Sequence, residues 1–282
     1  MTLFNLKQRY YNVLERLYPK SEIDGLFYIS LKNILNKDRI HFALHQHDDI
    51  STEIIETFET VLKDLQNEIP IQYIFGKTEF FGLPFKVNQH TLIPRQETEE
   101  LVAWILRDLE TDPLLAPTIL DIGTGSGCIP ISLAKNIPNG NIKAIDISES
   151  ALKVAKENAL LNNVSIKFEL KDILTNNLDS TYNVIISNPP YVRELEKEEI
   201  KNNVLDYEPH LALFVKDTNP LLFYERIADL ALKHLSENGT LYFEINQYLG
   251  SETKNLLMSK GYSYVELRKD LLGNDRMLKA KK

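Results

Sequence analysis

The sequence predicts an α/β chain: a mostly parallel sheet of seven strands covered on both faces by helices, with a small all-helical unit ahead of it. Three observations carry this. From Pro94 onward, short apolar runs alternate with helical patterns, the signature of a parallel sheet whose strands are joined by helical crossovers. The amino-terminal stretch shows helical spacing and no strand pattern. The last two apolar runs are joined by a short link with no room for a helix, so they should pair as a hairpin and one of them should run antiparallel to the rest.

In chain order, Leu3, Leu6, Tyr10, Leu14 and Leu17 fall on one helical face before Pro19 stops the run. Residues 22–36 form a second amphipathic stretch, and a third runs from Ser51, an N-cap with Glu53 in its first turn, to Glu68 before Pro70. Residues 1–75 are thus expected as a helical, partner-binding domain. In 76–93 aromatic and β-branched residues alternate around Gly82 and Pro84, which predicts a β-hairpin linking two domains. Residues 94–282 are expected as the catalytic domain. Its strands are read at 118–123, 141–147, 165–170, 182–188, 240–245, 262–267 and 275–280, and its helices at 96–110, 127–136, 149–162, 220–236 and 249–260.

Composition narrows the function. Lys and Arg number 32 against 40 Asp and Glu, a net charge of −8, the opposite of the usual balance in a protein that binds DNA mainly through its phosphates, which weighs against a nucleic-acid polymer as main partner. A single cysteine, Cys128, permits no internal disulfide and fits a reducing cytoplasm. The amino-terminal residues have no apolar stretch of signal-peptide length, so no secretion signal is expected, and no run is long and apolar enough to span a bilayer. His41, His45 and His47 have no second ligand cluster at metal-binding spacing, so they read as solvated and no metal is expected.

Asp121-Ile122-Gly123-Thr124-Gly125-Ser126-Gly127 follows an apolar strand and leads into a helix. The glycines let the backbone turn tightly and approach a ligand, and the helix directs free N–H groups toward it. Asp146 ends the next strand, where a carboxylate can accept hydrogen bonds from both ribose hydroxyls of an adenosine. A tight turn without a ligand is the plain alternative. The motif alone does not separate NAD from S-adenosylmethionine, although the loop lacks GxGxxG spacing, which leans toward a methyl donor. Cys128, just beyond the loop, reads as a small residue packed beneath it rather than a reactive thiol.

Asn188-Pro189-Pro190-Tyr191 closes the fourth strand. Asn-Pro can simply start a turn, but ligands of an open parallel sheet bind beyond the carboxyl ends of its strands near the switch point, beside the glycine loop. Methylating a planar nitrogen, whose lone pair is delocalised, requires acceptors for both N–H protons and a flat surface against the π-system. The Asn188 side-chain oxygen and a backbone carbonyl, that of Pro189, supply the acceptors. The prolines stiffen the backbone, and Tyr191 offers an aromatic face. Asn188, Pro189, Pro190 and Tyr191 are therefore the expected catalytic and substrate-binding residues.

At these residues the chain resembles the bacterial release factor glutamine methyltransferases, the PrmC/HemK family. The resemblance extends to Pro70-Ile-Gln-Tyr-Ile-Phe-Gly76, Glu79-Phe80, Leu92-Ile-Pro-Arg95-Gln-Glu97-Thr-Glu99, Asp146-Ile-Ser148, Tyr207-Glu208-Pro209 and Asp270-Leu-Leu-Gly273-Asn-Asp275-Arg276, nearly all of 70–282. It implies a seven-stranded class I S-adenosylmethionine-dependent methyltransferase domain, Rossmann-like, behind a small all-α domain that helps hold the release factor. The implied target is the glutamine of the Gly-Gly-Gln tip, and the implied partners include neither nucleic acid nor membrane; the chain is expected as a cytoplasmic monomer. By position Gly123, Thr124, Gly125, Ser126, Gly127 and Asp146 would hold S-adenosylmethionine, Asp172 and Ile173 would lie near the adenine, and Asn188 would meet cofactor and substrate. Ile173 stands where the family often has an aromatic residue, and Gln96 where a proline is usual.

Three other readings compete. A DNA adenine-N6 methyltransferase could use the same tetrapeptide on a flipped base, but would want a basic groove. A silent cofactor-binding scaffold has no chemical reason to keep Asn188 and Tyr191. A lysine methyltransferase needs a base that the sequence does not offer.

Overall fold

The computed structural model describes residues 1–111 and 113–282. They divide into two compact units, Met1–Gly76 with Asn202–Tyr207, and Lys77–Lys201 with Glu208–Lys282.

The first unit is all helical: α1 (Leu3–Leu14), α2 (Lys20–Leu35), α3 (Arg39–His45), α4 (Thr52–Gln66) and α5 (Ile71–Phe75). Thr2, Asp38 and Ser51 cap α1, α3 and α4, each accepting a backbone N–H from the first turn. Leu6, Tyr10, Leu14, Phe27, Leu31, Phe58 and Leu62 form its buried core, with Tyr10 edge-on to Phe27 at a centroid distance of 5.4 Å. The first helix ends at Leu14, short of the expected Leu17, which is exposed. Pro19 disfavours helical geometry in the residue before it, so the chain turns at Leu17 and Tyr18, whose N–H groups return to the Leu14 carbonyl. The short helix Asn202–Tyr207 (α9) completes the unit, the Tyr207 hydroxyl donating to the Asn67 carbonyl at 2.6 Å. The stretch 39–45, which holds His41 and His45, is the helix α3; the two imidazoles stack at 4.4 Å.

The second unit opens with the hairpin β1 (Lys77–Phe80) and β2 (Leu83–Lys86), followed by α6 (Gln96–Thr111). Then come β3 (Thr118–Ile122), α7 (Cys128–Asn136), β4 (Asn141–Asp146), α8 (Glu149–Leu161), β5 (Lys167–Leu170) and β6 (Tyr182–Ser187). After the segment described below, α11 (Leu222–His234), β9 (Leu235–Glu244), α12 (Gly250–Ser259), β10 (Tyr264–Lys269) and β11 (Asp275–Lys281) finish the chain. The sheet order is β10-β11-β9-β6-β3-β4-β5. All pairs are parallel except those of β11, which runs antiparallel to both neighbours. Trp104, Ile105, Ile131, Val184 and Ile186 pack on one face of the sheet, and Ile185, Tyr224, Ile227, Leu241 and Leu257 on the other. Adjacent residues Val184, Ile185 and Ile186 thus serve opposite cores, as strand geometry requires.

The hairpin expected as a linker lies on α8. The fully buried Asn158 side chain accepts from Lys86 N–H at 2.7 Å and donates to the Lys86 carbonyl at 2.9 Å, as a neighbouring strand would. Asn162 donates to the Pro84 carbonyl at 2.9 Å. Between β6 and α11 the sequence pattern gives no element. The structure forms a two-residue parallel ladder of β7 (Val192–Arg193) with β8 (Phe214–Val215), a 3-10 helix Glu194–Glu199 and α10 (His210–Leu213). Elements this short repeat too few times for a pattern to stand out.

Candidate active site

The loop between β3 and α7 rises from the centre of the sheet. Its first turns are fixed by the N–H groups of Gly123 and Thr124, which donate to the Ile145 carbonyl at the end of β4. Gly123 and Gly125 have φ of +76° and +54°, and a methyl group built on either would meet nothing within 4 Å, so the loop faces open space on that side. Gly127 differs. A methyl there would lie 3.0 Å from the Ile131 side chain and 3.1 Å from Ala155 Cβ, which makes Gly127 the point where α7 packs against α8.

Asp146 ends β4, its oxygens accepting from Gly125 N–H and Ser148 N–H at 2.8 Å each. Each carboxylate oxygen keeps a second lone pair, and burial raises its pKa against the pull of those N–H groups. One side chain thus braces the loop and presents acceptors to the cleft. Asp172 is held by the Leu174 N–H at 2.9 Å and the Thr175 hydroxyl at 3.1 Å. Beneath the loop, Asp121 is wholly buried, with the Thr124 hydroxyl beside its carboxyl. Burial pushes its carboxyl up to about 7. Cys128 is buried too, its thiol pushed up to about 12 by burial, so the thiolate needed for reactivity is absent at neutral pH.

Asn188 leaves the end of β6, anchored one residue earlier by the Ser187 hydroxyl, which donates to the Ile122 carbonyl at 2.7 Å. Its Nδ2 donates to the Thr98 hydroxyl at 3.4 Å, and Thr98 donates to Glu244 Oε2 at 2.6 Å. Glu244 Oε1 accepts from the Tyr191 hydroxyl at 3.1 Å. Burial with Glu244 alongside raises the Tyr191 pKa, which keeps it a neutral donor. The Arg95 guanidinium pairs with the buried carboxylate of Glu208, which also takes the Ile93 N–H at 3.1 Å.

Gly123, Thr124, Gly125, Ser126, Asp146, Asp172, Ile173, Asn188, Pro189 and Pro190 line one cleft of about 300 Å³, at the carboxyl ends of β3, β4 and β6. Of the residues singled out from the sequence, Gly127 and Tyr191 are not among those lining it. Arg95 and Thr98, which do line it, fall inside a segment the sequence singled out, but nothing local assigns them a role. Glu244 is visible only as a charged residue ending a central apolar strand, a signal of a partnered buried carboxylate. The cleft fits S-adenosylmethionine: the glycine loop has room above it, Asp146 offers acceptors at the end of the second strand, and the buried Asp121 carboxyl beneath the loop is ionised more readily beside a cationic ligand.

The central part of the chain matches the Methyltransferase small domain family over residues 98–209, and the amino-terminal unit the PrmC N-terminal domain family over residues 13–76. Two similar relatives are the release factor glutamine methyltransferases of Flavobacterium psychrophilum, 51% identical over 99% of both chains, and of Bacteroides thetaiotaomicron, 41% identical over 95% of both. Among solved structures, a methyltransferase from Pyrococcus furiosus shares the fold at a TM-score of 0.52 and 21% identity, over 72% of this chain and 90% of that one. A 16S rRNA methyltransferase of T. thermophilus, in complex with AdoMet and guanosine, does so at 0.52 and 15% identity, over 73% of this chain and 49% of that one. The seven-stranded sheet with its one antiparallel strand, the glycine loop and the acidic end of β4 are those of a class I S-adenosylmethionine-dependent methyltransferase, and S-adenosylmethionine is the methyl donor. Within that class, identity along the whole chain is decisive. The protein belongs to the release factor glutamine methyltransferase family.

Proposed function

We propose that this protein methylates the side-chain amide nitrogen, N5, of the glutamine in the Gly-Gly-Gln tip of a peptide chain release factor, acting as a cytoplasmic monomer and so modulating translation termination. Family membership supports the release factor as substrate. The single observation that carries the chemistry is the Asn188 carboxamide at the floor of the cleft, its Nδ2 engaged by Thr98 and its Oδ1 left for a ligand.

When bound, S-adenosylmethionine supplies an already activated methyl group. The protein's task is therefore orientation and polarisation of a poor nucleophile. Asn188 Oδ1 and the Pro189 carbonyl accept the two N–H protons of the glutamine amide, drawing density onto nitrogen and aiming its lone pair. Pro189 and Pro190 donate no backbone hydrogen bond that would compete for those acceptors. Asp146 and the glycine loop would hold the adenosine end, with Asp172 and Ile173 beside the base. Tyr191, tied by its hydroxyl to Glu244, stiffens the tetrapeptide. No strong base is required, because the methylated amide nitrogen is acidic and sheds its proton to solvent or to an acceptor oxygen.

The helical unit, with its own sequence match, is proposed as the docking module for the folded release factor. Mass spectrometry of a release factor incubated with the enzyme and S-adenosylmethionine tests the assignment. One methyl increment, mapped by fragmentation to the Gly-Gly-Gln glutamine, is expected. An unmodified release factor beside a methylated adenine oligonucleotide would replace this reading with the DNA one.

A further inference from the structure

The flip of a carboxamide decides whether Asn188 presents an acceptor or a donor to the substrate, and the tetrapeptide itself does not set it. We propose that Thr98 and Glu244 are positioning residues that fix this flip, so that Asn188 can present only its oxygen to the glutamine nitrogen. The inference rests on the reading of Asn188 as the acceptor.

The argument is one of donor counting. Glu244 ends the central strand β9 and is 1% exposed. As a carboxylate it can only accept. Thr98, in the first turn of α6 and 2% exposed, carries one hydroxyl proton, and at 2.6 Å that proton is committed to Glu244 Oε2. The Thr98 oxygen therefore has only lone pairs to offer Asn188, and the group it meets must be an N–H. Rotating the carboxamide by half a turn would set oxygen against oxygen with no proton between them. The second Glu244 oxygen takes the Tyr191 hydroxyl at 3.1 Å, so one carboxylate orients the first and last residues of Asn188-Pro189-Pro190-Tyr191. Burial raises the Glu244 pKa, while the Thr98 hydroxyl, the nearby Arg276 and the Tyr191 hydroxyl pull the other way and favour its ionised form.

The substitutions are read on the full-length enzyme with S-adenosylmethionine and a Gly-Gly-Gln peptide. Thr98→Val keeps the shape and removes the hydroxyl. It should lower kcat by about tenfold or more, leave cofactor affinity and peptide KM within about twofold, and retain a folded thermal transition. Thr98→Ser should restore most of kcat, which a loss of packing alone would not allow. Glu244→Gln, whose amide can donate as well as accept, should also lower kcat with little change in KM. In combination, Thr98→Val should add nothing to Asn188→Ala, because both act through the same oxygen. A near-normal kcat in folded Thr98→Val, or multiplying effects in the double variant, overturns the proposal. If Thr98→Val does not fold, an unchanged kcat in Glu244→Gln overturns it alone. A normal kcat in Asn188→Ala itself would instead remove the acceptor role on which it rests.

Discussion

Asp121 and Asp146 show how far neighbouring carboxylates can differ in what they do. The Asp121 carboxyl, ordinarily at 3.8, is raised to about 7 by burial. A raised folded-state value means that the protonated form contributes stability below the ordinary value, and that this contribution is lost as pH rises from about 4 to about 7. Asp121→Asn does not titrate, so its Tm should exceed that of the wild type at pH 8, with the gap closing toward pH 4.5 in thermal scans. A cationic ligand favours the ionised carboxylate. Wild-type affinity for S-adenosylmethionine should thus climb between pH 6 and 8, while calorimetry on Asp121→Asn should give a flatter profile and weaker binding. Asp146→Ala should weaken the cofactor by about 1–3 kcal/mol, the scale of hydrogen bonds to a charged group; unchanged affinity by titration would remove Asp146 from the site. Asp146 and Asn188 were legible because each ends a strand beside a recognisable loop. The link from Thr98 to Glu244 was not, since its ends are 146 positions apart and only the packing of α6 on the folded sheet brings them together.

Among the elements, the hairpin β1–β2 is where pattern reading and packing diverge. Alternation around Gly82 and Pro84 was enough to show a hairpin, yet nothing in 76–93 says what it rests on. That is decided by Asn158 on α8, which serves Lys86 through both ends of its carboxamide and also donates to the Ser126 carbonyl in the glycine loop at 2.9 Å. Removing it strands the part-buried N–H and carbonyl of Lys86 and the buried Ser126 carbonyl. Asn158→Ala should cost about 2–4 kcal/mol in denaturant unfolding and should weaken cofactor binding, because the loop loses a brace. Asn162→Ala removes the donor to Pro84 but nothing at the loop, so it should lower stability while leaving affinity near normal. Equal affinity losses in both variants would show that the brace is not specific. The segment between β6 and α11 was invisible for a different reason. Its ladder of two residues per strand is held by tertiary context rather than by any run of side chains.

For the whole molecule, the chain visits the helical unit twice, first over Met1–Gly76 and again over Asn202–Tyr207. On α3 of that unit, Ile40 and Leu44 are 71% and 74% exposed and one helical turn apart, the spacing of a contact stripe. If these helices dock the release factor, Ile40→Asp with Leu44→Asp should raise KM for the whole release factor by about tenfold or more and leave peptide kinetics unchanged, since such contacts count equally in ground and transition states. Equal kinetics on both substrates would deny α3 a part in docking. The second visit is light: α9 contributes no buried residue, and the core of the unit is drawn from residues between Leu3 and Ile71. The amino-terminal unit can therefore assemble as soon as its own residues emerge during synthesis, without waiting for the remainder. If that unit docks the release factor, residues 1–76 expressed alone should act as a decoy, seen as release factor left unmethylated by the intact enzyme.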